Sequence, residues 1–295
     1  MEHNAVGQML GLLSDEWTLL VVQHALLGAT RYGQFIERLP ISNSVLTRRL
    51  NFLTEQGLLT RTRYQDNPPR DEYLTTDRCR ALWPVIVSIW EWERRWVPHH
   101  REPLPAMHHT DCRHEFTPLL TCSVCGETTS CTDIIAQWGP TGGWKQSLPA
   151  TSTRRRSGSD QRDSPSGLYP QTMSVLGNRW ACVILVAAFV GTTRFSDFQQ
   201  LLEVPPGSLT DRLRTFRDNG VLAGDPEYHL TPKGRAFFPV LITALDWAQR
   251  WFADSDGPAI VIHHHACGQP FHGVLRCDQC GEALTGRSIE AVTGD

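Results

Sequence analysis

Ile41-Ser-Asn-Ser-Val-Leu-Thr-Arg-Arg-Leu50, followed shortly by Gly57-Leu-Leu-Thr-Arg61, is the stretch on which the fold turns. Pro40 breaks the helix before it, Ser42 to Ser44 supply turn and cap residues, and Leu46 and Leu50 give the following helix, running to about Gln56, an apolar face. Gly57 is placed to stop that helix. Upstream, Leu12 to Leu27 is apolar with Leu13, Trp17, Leu20 and Val21 at helical spacing. Ser14 is its expected N-cap, Asp15 and Glu16 fill its first turn, and Gly28 ends it. A short helix, Tyr32 to Leu39, turns Phe35, Ile36 and Leu39 inward. Downstream, Leu58 to Tyr64 and Glu72 to Thr75 read as strands around Asp66-Asn67-Pro68-Pro69, and Leu82, Val85, Ile89, Trp92 and Trp96 mark one face of a closing helix. Three helices, a two-stranded wing and a further helix make a winged helix-turn-helix.

The same order of landmarks returns. Trp180 answers Trp17, Phe198 answers Phe35, Leu209 answers Leu46 and Gly220 answers Gly57. Phe237, Val240, Ala244, Trp247 and Trp251 repeat the closing face. The expected fold class is mainly α with short β-hairpin wings (α+β), as two tandem winged helix-turn-helix domains, each followed by a small zinc-ribbon-like module. The expected bounds are 1–98 and 168–253 for the winged domains, 99–138 and 254–295 for the metal modules, and 139–167 for a flexible linker rich in Gly, Ser, Pro and Thr that contains Arg154-Arg155-Arg156. The copies differ in the wing and on the outer face of the third helix. The second wing shrinks to Ala223-Gly-Asp-Pro-Glu-Tyr-His229, and Asp211 stands where the first copy has Arg48.

Each copy ends in a ligand pattern. His109-x-x-Cys112 precedes Cys122-x-x-Cys125, and His264-x-x-Cys267 precedes Cys277-x-x-Cys280 with the same spacing, so each copy is expected to hold one structural Zn2+ on three thiolates and an imidazole. His108 and His263 also repeat; His114 does not, since Gln269 takes its place, and His109 and His264 are the preferred fourth ligands. Four protein ligands leave no open position for hydrolytic chemistry. Cys79, Cys131 and Cys182 have no cysteine counterpart; Cys182 reads as a core residue, and Cys79, flanked by Arg78 and Arg80, as structural although such neighbours can lower a thiol's pKa.

At 295 residues, 40% hydrophobic and a net charge of −3, the chain suits two globular units and does not suit a protein that coats nucleic acid indiscriminately. The longest apolar run, Ala181 to Val190, is too short for a bilayer, and Met1 to Leu13 lacks a basic segment leading an apolar one. No membrane association, a reducing cytoplasmic location and thiols in place of disulfides are therefore expected.

The residues quoted above, with Pro68-Pro-Arg-Asp-Glu-Tyr-Leu-Thr75 and the Trp-rich helix after it, resemble the HxlR-type transcriptional regulators, bacterial winged-helix proteins related to the MarR group. The resemblance implies operator binding as dimers formed through terminal helices, with the third helix in the major groove; the duplication within one chain departs from the usual single unit. Short polar residues and arginines at the start of that helix are what major-groove reading requires. Ser42, Asn43, Ser44, Thr47, Arg48 and Arg49 are the candidate readers, Arg61, Arg63 and Arg70 the candidate wing contacts, and Ser208, Thr210, Arg212 and Arg214 the candidate phosphate contacts of the second copy. The expected function is a sequence-specific DNA-binding regulator, a repressor, reading double-stranded operator DNA through the first copy, with the second as pseudo-dimer partner or weaker reader. The Trp-rich helices are expected to form the internal pseudo-dimer or a homodimer, with a crevice beneath them for a small-molecule effector. Two alternatives stand beside it: a protein-interaction adaptor on a degenerate scaffold, and a zinc-thiolate regulator responsive to oxidant or metal. No nucleophile-base set or phosphate loop suggests an enzyme.

Overall fold

In the computed structural model, described over residues 3–98, 100, 104–148, 169, 171–177 and 179–292, the apolar N-terminal stretch is two helices, not one. α1 (Ala5–Leu13) starts on Asn4 and ends at Ser14, and α2 (Glu16–Leu26) starts on Asp15, whose carboxylate accepts from the Thr18 amide. The pair bends by 85°. The expected single helix capped by Ser14 is thus corrected: the charged Asp15 side chain is the better partner for a positive helix N-terminus, and Ser14 closes the helix before it.

From there the first copy follows the sequence reading. α3 (Tyr32–Arg38) leads into α4 (Asn43–Glu55), with Ser42 as N-cap, and β1 (Leu59–Gln65) pairs antiparallel with β2 (Arg70–Thr75). α4 sits against α2 and α3 because Leu46, Leu50 and Leu53 are fully buried, each worth about 1.5–3 kcal/mol of apolar transfer. Gly57, at φ +67°, takes the left-handed turn that lets the chain leave α4 for the wing. α5 (Asp77–Arg80) and α6 (Trp83–Trp96) complete the unit. Burial pushes the Cys79 thiol up to about 12 in spite of Arg80, so it is an inert core group.

β3 (Ala106–His109), β4 (His114–Glu115), β5 (Pro118–Cys122) and β6 (Ile134–Trp138) follow. The second copy repeats the plan with α7 (Thr172–Leu176), α8 (Arg179–Phe189), α9 (Phe195–Leu202), α10 (Pro206–Asp218), β7 (Leu222–Ala223), β8 (His229–Leu230), α11 (Pro232–Arg235), α12 (Phe238–Trp251), β9 (Ile260–His264), β10 (Gly273–Cys277) and β11 (Ile289–Val292). Its wing is two residues per strand.

The copies embrace each other. α6 packs on α12, and the Trp92 indole donates to the Lys233 carbonyl (3.0 Å) while the Trp247 indole donates to the Arg78 carbonyl (2.9 Å). Trp92 and Trp247 hold the same place in the repeat, as do Arg78 and Lys233, so the contact is isologous. Among the described residues, the pairings between named strands beyond the wings, apart from the short β3–β4 turn, also join one copy to the other: β5 with β10, β3 with β11, β6 with β9. Leu120 lies opposite its own counterpart Leu275, which puts the pseudo-twofold axis through the middle of β5 and β10. A shared core under these strands holds Trp90, Phe116 and Leu120 with Phe238, Phe271 and Leu275.

The expected flexible linker is corrected over its first ten residues. Gly139 donates to the Ala259 carbonyl, Trp144 stacks edge-on against Trp138 at 5.0 Å, and Asn4 of the α1 cap donates to Thr141 and Ser147. The Trp138–Trp144 contact and these hydrogen bonds hold this segment where its glycines suggested freedom. The rest of the expected linker, 149–167, with Arg154 to Arg156, lies outside the described residues. Among the described residues no single helix is long and apolar enough to cross a membrane.

Candidate nucleic-acid interface and metal centres

The N-terminal half of α4 turns its polar side outward. Asn43, Ser44, Thr47 and Arg48 are exposed, while Ser42 is engaged in capping, its hydroxyl accepting from the Val45 amide at 3.4 Å. The Tyr32 hydroxyl donates to the Asn43 carbonyl (2.9 Å) and stands 3.3 Å from the Thr47 hydroxyl, tying α3 to the start of α4. Among the described residues Arg48 makes no ion pair. Arg49 behaves differently. Its guanidinium donates to Asp15 Oδ2 at 2.7 Å with only 15% of the side chain exposed, so it faces inward and fastens α4 to the α2 cap. Sequence reading passed over Tyr32 and Asn51, which border or share the Ser44, Thr47, Arg48 face; the helical spacing 44, 47, 48, 51 was the available signal.

In the wing, Arg61 and Arg63 both turn to Asp71, Arg61 through Nε at 2.6 Å and Arg63 through Nε at 3.5 Å. The Arg61 hydrogen bond holds the Asp71 carboxyl below its ordinary range. Arg70, at the exposed tip beside the turn, makes no ion pair among the described residues. Arg31 lies over the Tyr64 ring at 4.6 Å, beside the wing's turn, and stiffens the outer part of the wing.

The second copy presents the same elements with its cations neutralised. Arg214 is 4.0 Å from Asp211, Arg217 donates to Asp225 at 2.6 Å and Arg194 to Glu227 at 2.9 Å. Thr210 donates back to the Pro206 carbonyl within its own helix, Ser208 is half-buried, and Arg212 is half-buried with its guanidinium pKa lowered by desolvation. Of the four candidate contacts here, Thr210 and Arg214 are exposed.

All eight expected metal ligands come together, but not in the expected sets. His109 and Cys112 meet Cys277 and Cys280, and Cys122 and Cys125 meet His264 and Cys267, each group with its ligand atoms within 4.8 Å of one another. The assignment of one complete tetrad to each copy is therefore corrected to two crossed tetrads. The cause is the strand exchange: β3 pairs with β11 and β5 with β10, which carries each His-x-x-Cys turn to the partner copy's Cys-x-x-Cys knuckle. In both tetrads the imidazole turns Nδ1 to sulfur, His109 to Cys280 and His264 to Cys125, each at 3.3 Å. Nε2 of His264 stands 3.3 Å from the Thr129 hydroxyl, an outer partner that orients the ring, whereas Nε2 of His109 lies 3.5 Å from Asp111 without a hydrogen bond to it.

Three thiols and one imidazole with no further side-chain ligand suit a closed, four-coordinate metal site. Burial opposes ionisation of Cys112, yet hydrogen bonds from His114 and His109 bring its thiol down to about 6, whereas burial and the adjoining thiols push Cys277 up to about 11. Neighbouring thiolates repel, and a bound cation is the group that lets all of them ionise together.

The HxlR-like helix-turn-helix family model matches residues 12–101 and 175–256. The uncharacterized HTH-type transcriptional regulator Rv3095 of Mycobacterium tuberculosis is 33% identical over 150 residues, 51% of this chain and 94% of its own length. An uncharacterized HTH-type transcriptional regulator of Synechocystis, sll1512, is 33% identical over 93 residues, 31% of this chain and 69% of its own. The solved structure of PA1374 from Pseudomonas aeruginosa, described as a candidate transcription factor, is 25% identical, covers 48% of this chain and 97% of its own, and superposes with a TM-score of 0.37.

Proposed function

Because this chain belongs to the HxlR-like helix-turn-helix family, we propose that it is a transcriptional regulator that binds operator DNA in a sequence-dependent way, mainly through its first copy. The observation that carries this reading is the pair of free guanidiniums: Arg48 on the exposed face of α4 and Arg70 at the tip of the long wing, on the two elements a winged helix lays against DNA. Ser44 and Thr47, short and exposed beside Arg48, are suited to approach base edges, and Arg48 to grip a base or phosphate. Arg61 and Arg63 support the wing through Asp71 and reach phosphate secondarily. Arg49 is a positioning residue, holding α4 at a fixed angle to α2.

The second copy acts as the pseudo-dimer partner. Asp211 at the position of Arg48 repels phosphate, so this half contributes a weak, sequence-poor contact through Arg214 and the operator is asymmetric. Zinc fits the crossed tetrads by the chemistry of the donor set, and when bound it would clamp the two copies together. His109, Cys112, Cys122, Cys125, His264, Cys267, Cys277 and Cys280 would hold it, fastening the two winged units so that their spacing on DNA is set within one chain. Occupancy of the operator gives repression as the expected output.

The test is binding of the metal-replete protein to labelled DNA from upstream of its own gene across a salt series. Arg48→Ala/Arg70→Ala is expected to lose about 1–3 kcal/mol per broken contact and to flatten the salt slope, while Arg214→Ala changes little. Weak binding to any DNA, equal in wild type and double variant, would replace this reading with the adaptor.

A further inference from the structure

We propose that the seam between the two halves contains a binding cavity for an uncharged hydrophobic molecule of two or three rings, between α1, α8, α12 and the paired strands β6 and β9. The cavity measures about 520 Å³, within the usual range for small-molecule sites. Met9 and Leu10 of α1, Val183 and Val186 of α8, and Leu241 and Leu245 of α12 form its walls. No Asp, Glu, Lys, Arg or His lines it.

Its few polar atoms are already occupied or neutral. The Ser147 hydroxyl donates to the Gly143 carbonyl at 2.8 Å and accepts from Asn4 at 3.0 Å. The Cys182 thiol is pushed up to about 12 by burial and stays protonated. A charged guest would lose its hydration without a partner, so the site selects against one. At the mouth stand Trp138, 40% exposed, and Val190, 56% exposed; Trp138 meets Trp144 edge to face, an aromatic rim suited to a planar guest.

The duplication explains how the hollow arose. Position for position, Leu245 replaces Trp90, Phe238 replaces Trp83 and Cys182 replaces Leu19, while Val186 replaces the amide of Gln23. In the first copy these larger groups occupy space: Trp90 is fully buried and its indole donates to the Pro105 carbonyl at 2.9 Å, and the Trp83 ring lies 3.0 Å from where a β-carbon on Gly286 would be. Part of that volume is added back by Phe189 in place of Leu26, by Ile242 in place of Val87, and by the thiol of Cys131 from the first copy, whose counterpart in the second is Gly286. The loss of side-chain volume is thus concentrated on one half of a structure that is otherwise pseudo-symmetric. Both α1 and α10 pack on α8, so a guest between α1 and α8 would press on the second reading helix.

The experiment titrates the neutral fluorescent hydrocarbon amine N-phenyl-1-naphthylamine into the metal-replete full chain without DNA. Saturable one-to-one binding with enhanced, blue-shifted emission is expected. Leu245→Trp and, separately, Cys182→Leu restore the first copy's residue and should weaken binding at least tenfold while the melting temperature holds or rises. No saturable binding by the wild type, or unchanged affinity in either folded variant, overturns the proposal. Since DNA is absent, the result is independent of which copy reads an operator.

Discussion

α4 and α10 are the same helix set twice on the same scaffold. Their inner faces agree: Leu46, Leu50 and Leu53 in the first and Leu209, Leu213 and Phe216 in the second are all buried. Their outer faces do not, for an unpaired Arg48 in one becomes Asp211 in the other, and a wing of six- and seven-residue strands becomes one of two-residue strands. Packing constrains the buried side because a change of one methylene there is felt at once, whereas the solvent side is free to diverge without cost to the fold. The two halves therefore share an architecture and differ in chemistry: the first keeps the free cations, and the hollow opens beside α8 and α12 of the second, where the first half's α1 and β6 meet them.

The comparison breaks most sharply at the crossed tetrads. Cys122→Ser and His264→Ala come from different copies but one tetrad, so each alone should reduce bound zinc from two equivalents to about one, and the pair should lose no more. Cys122→Ser with Cys112→Ser, both from one copy, should lose both ions and, given apparent structural-zinc affinities of about 10–16 kcal/mol, most of the cooperative melt. Metal analysis showing the opposite pattern would return each site to a single copy.

A smaller effect is expected from Arg49→Ala, which removes a charge-assisted hydrogen bond to Asp15 and should cost about 1.5–3 kcal/mol in denaturant melts while the folded variant keeps wild-type DNA affinity. An unchanged melt with lost DNA binding would make Arg49 a reader after all.

The halves also differ in acid. His24 in α2 is brought to about 4 by burial, with Arg38 adding to the shift, and both its ring nitrogens are buried without a partner; Ala187 holds the matching place. Protonation therefore favours the unfolded chain: this contribution to stability is complete above pH 6.5 and is lost as pH falls from 6.5 towards 4. The wild-type melting temperature should drop over that window more than that of His24→Ala at equal zinc. Parallel profiles would show that His24 is hydrated in the folded chain. The smallest effect is a gain: Asp211→Arg should steepen the salt dependence of DNA binding by about one phosphate, and a flat response would place α10 away from the DNA.

Much of this was legible in the chain. Helix and wing periodicity at Leu46, Leu50 and Gly57, the repeat, and the eight ligand residues all follow from spacing, which local physics reads directly. The helix start was legible to within one residue, since Ser14 and Asp15 are both good caps and only the bend between α1 and α2 puts Asp15 at the cap. Arg49 looked like its neighbour Arg48; one residue of helix, about a quarter turn, separates an outward guanidinium from one buried against Asp15.

The sequence by itself determined that there are two winged units, where the third helix of each unit lies, and which cysteines and histidines can take metal. Tertiary structure alone decided which ligand sits with which, because exchanging identical elements between two copies leaves every spacing unchanged while rewiring every contact. It also decided which arginines are free and where the core is hollow, since both depend on side chains brought together from opposite ends of the chain.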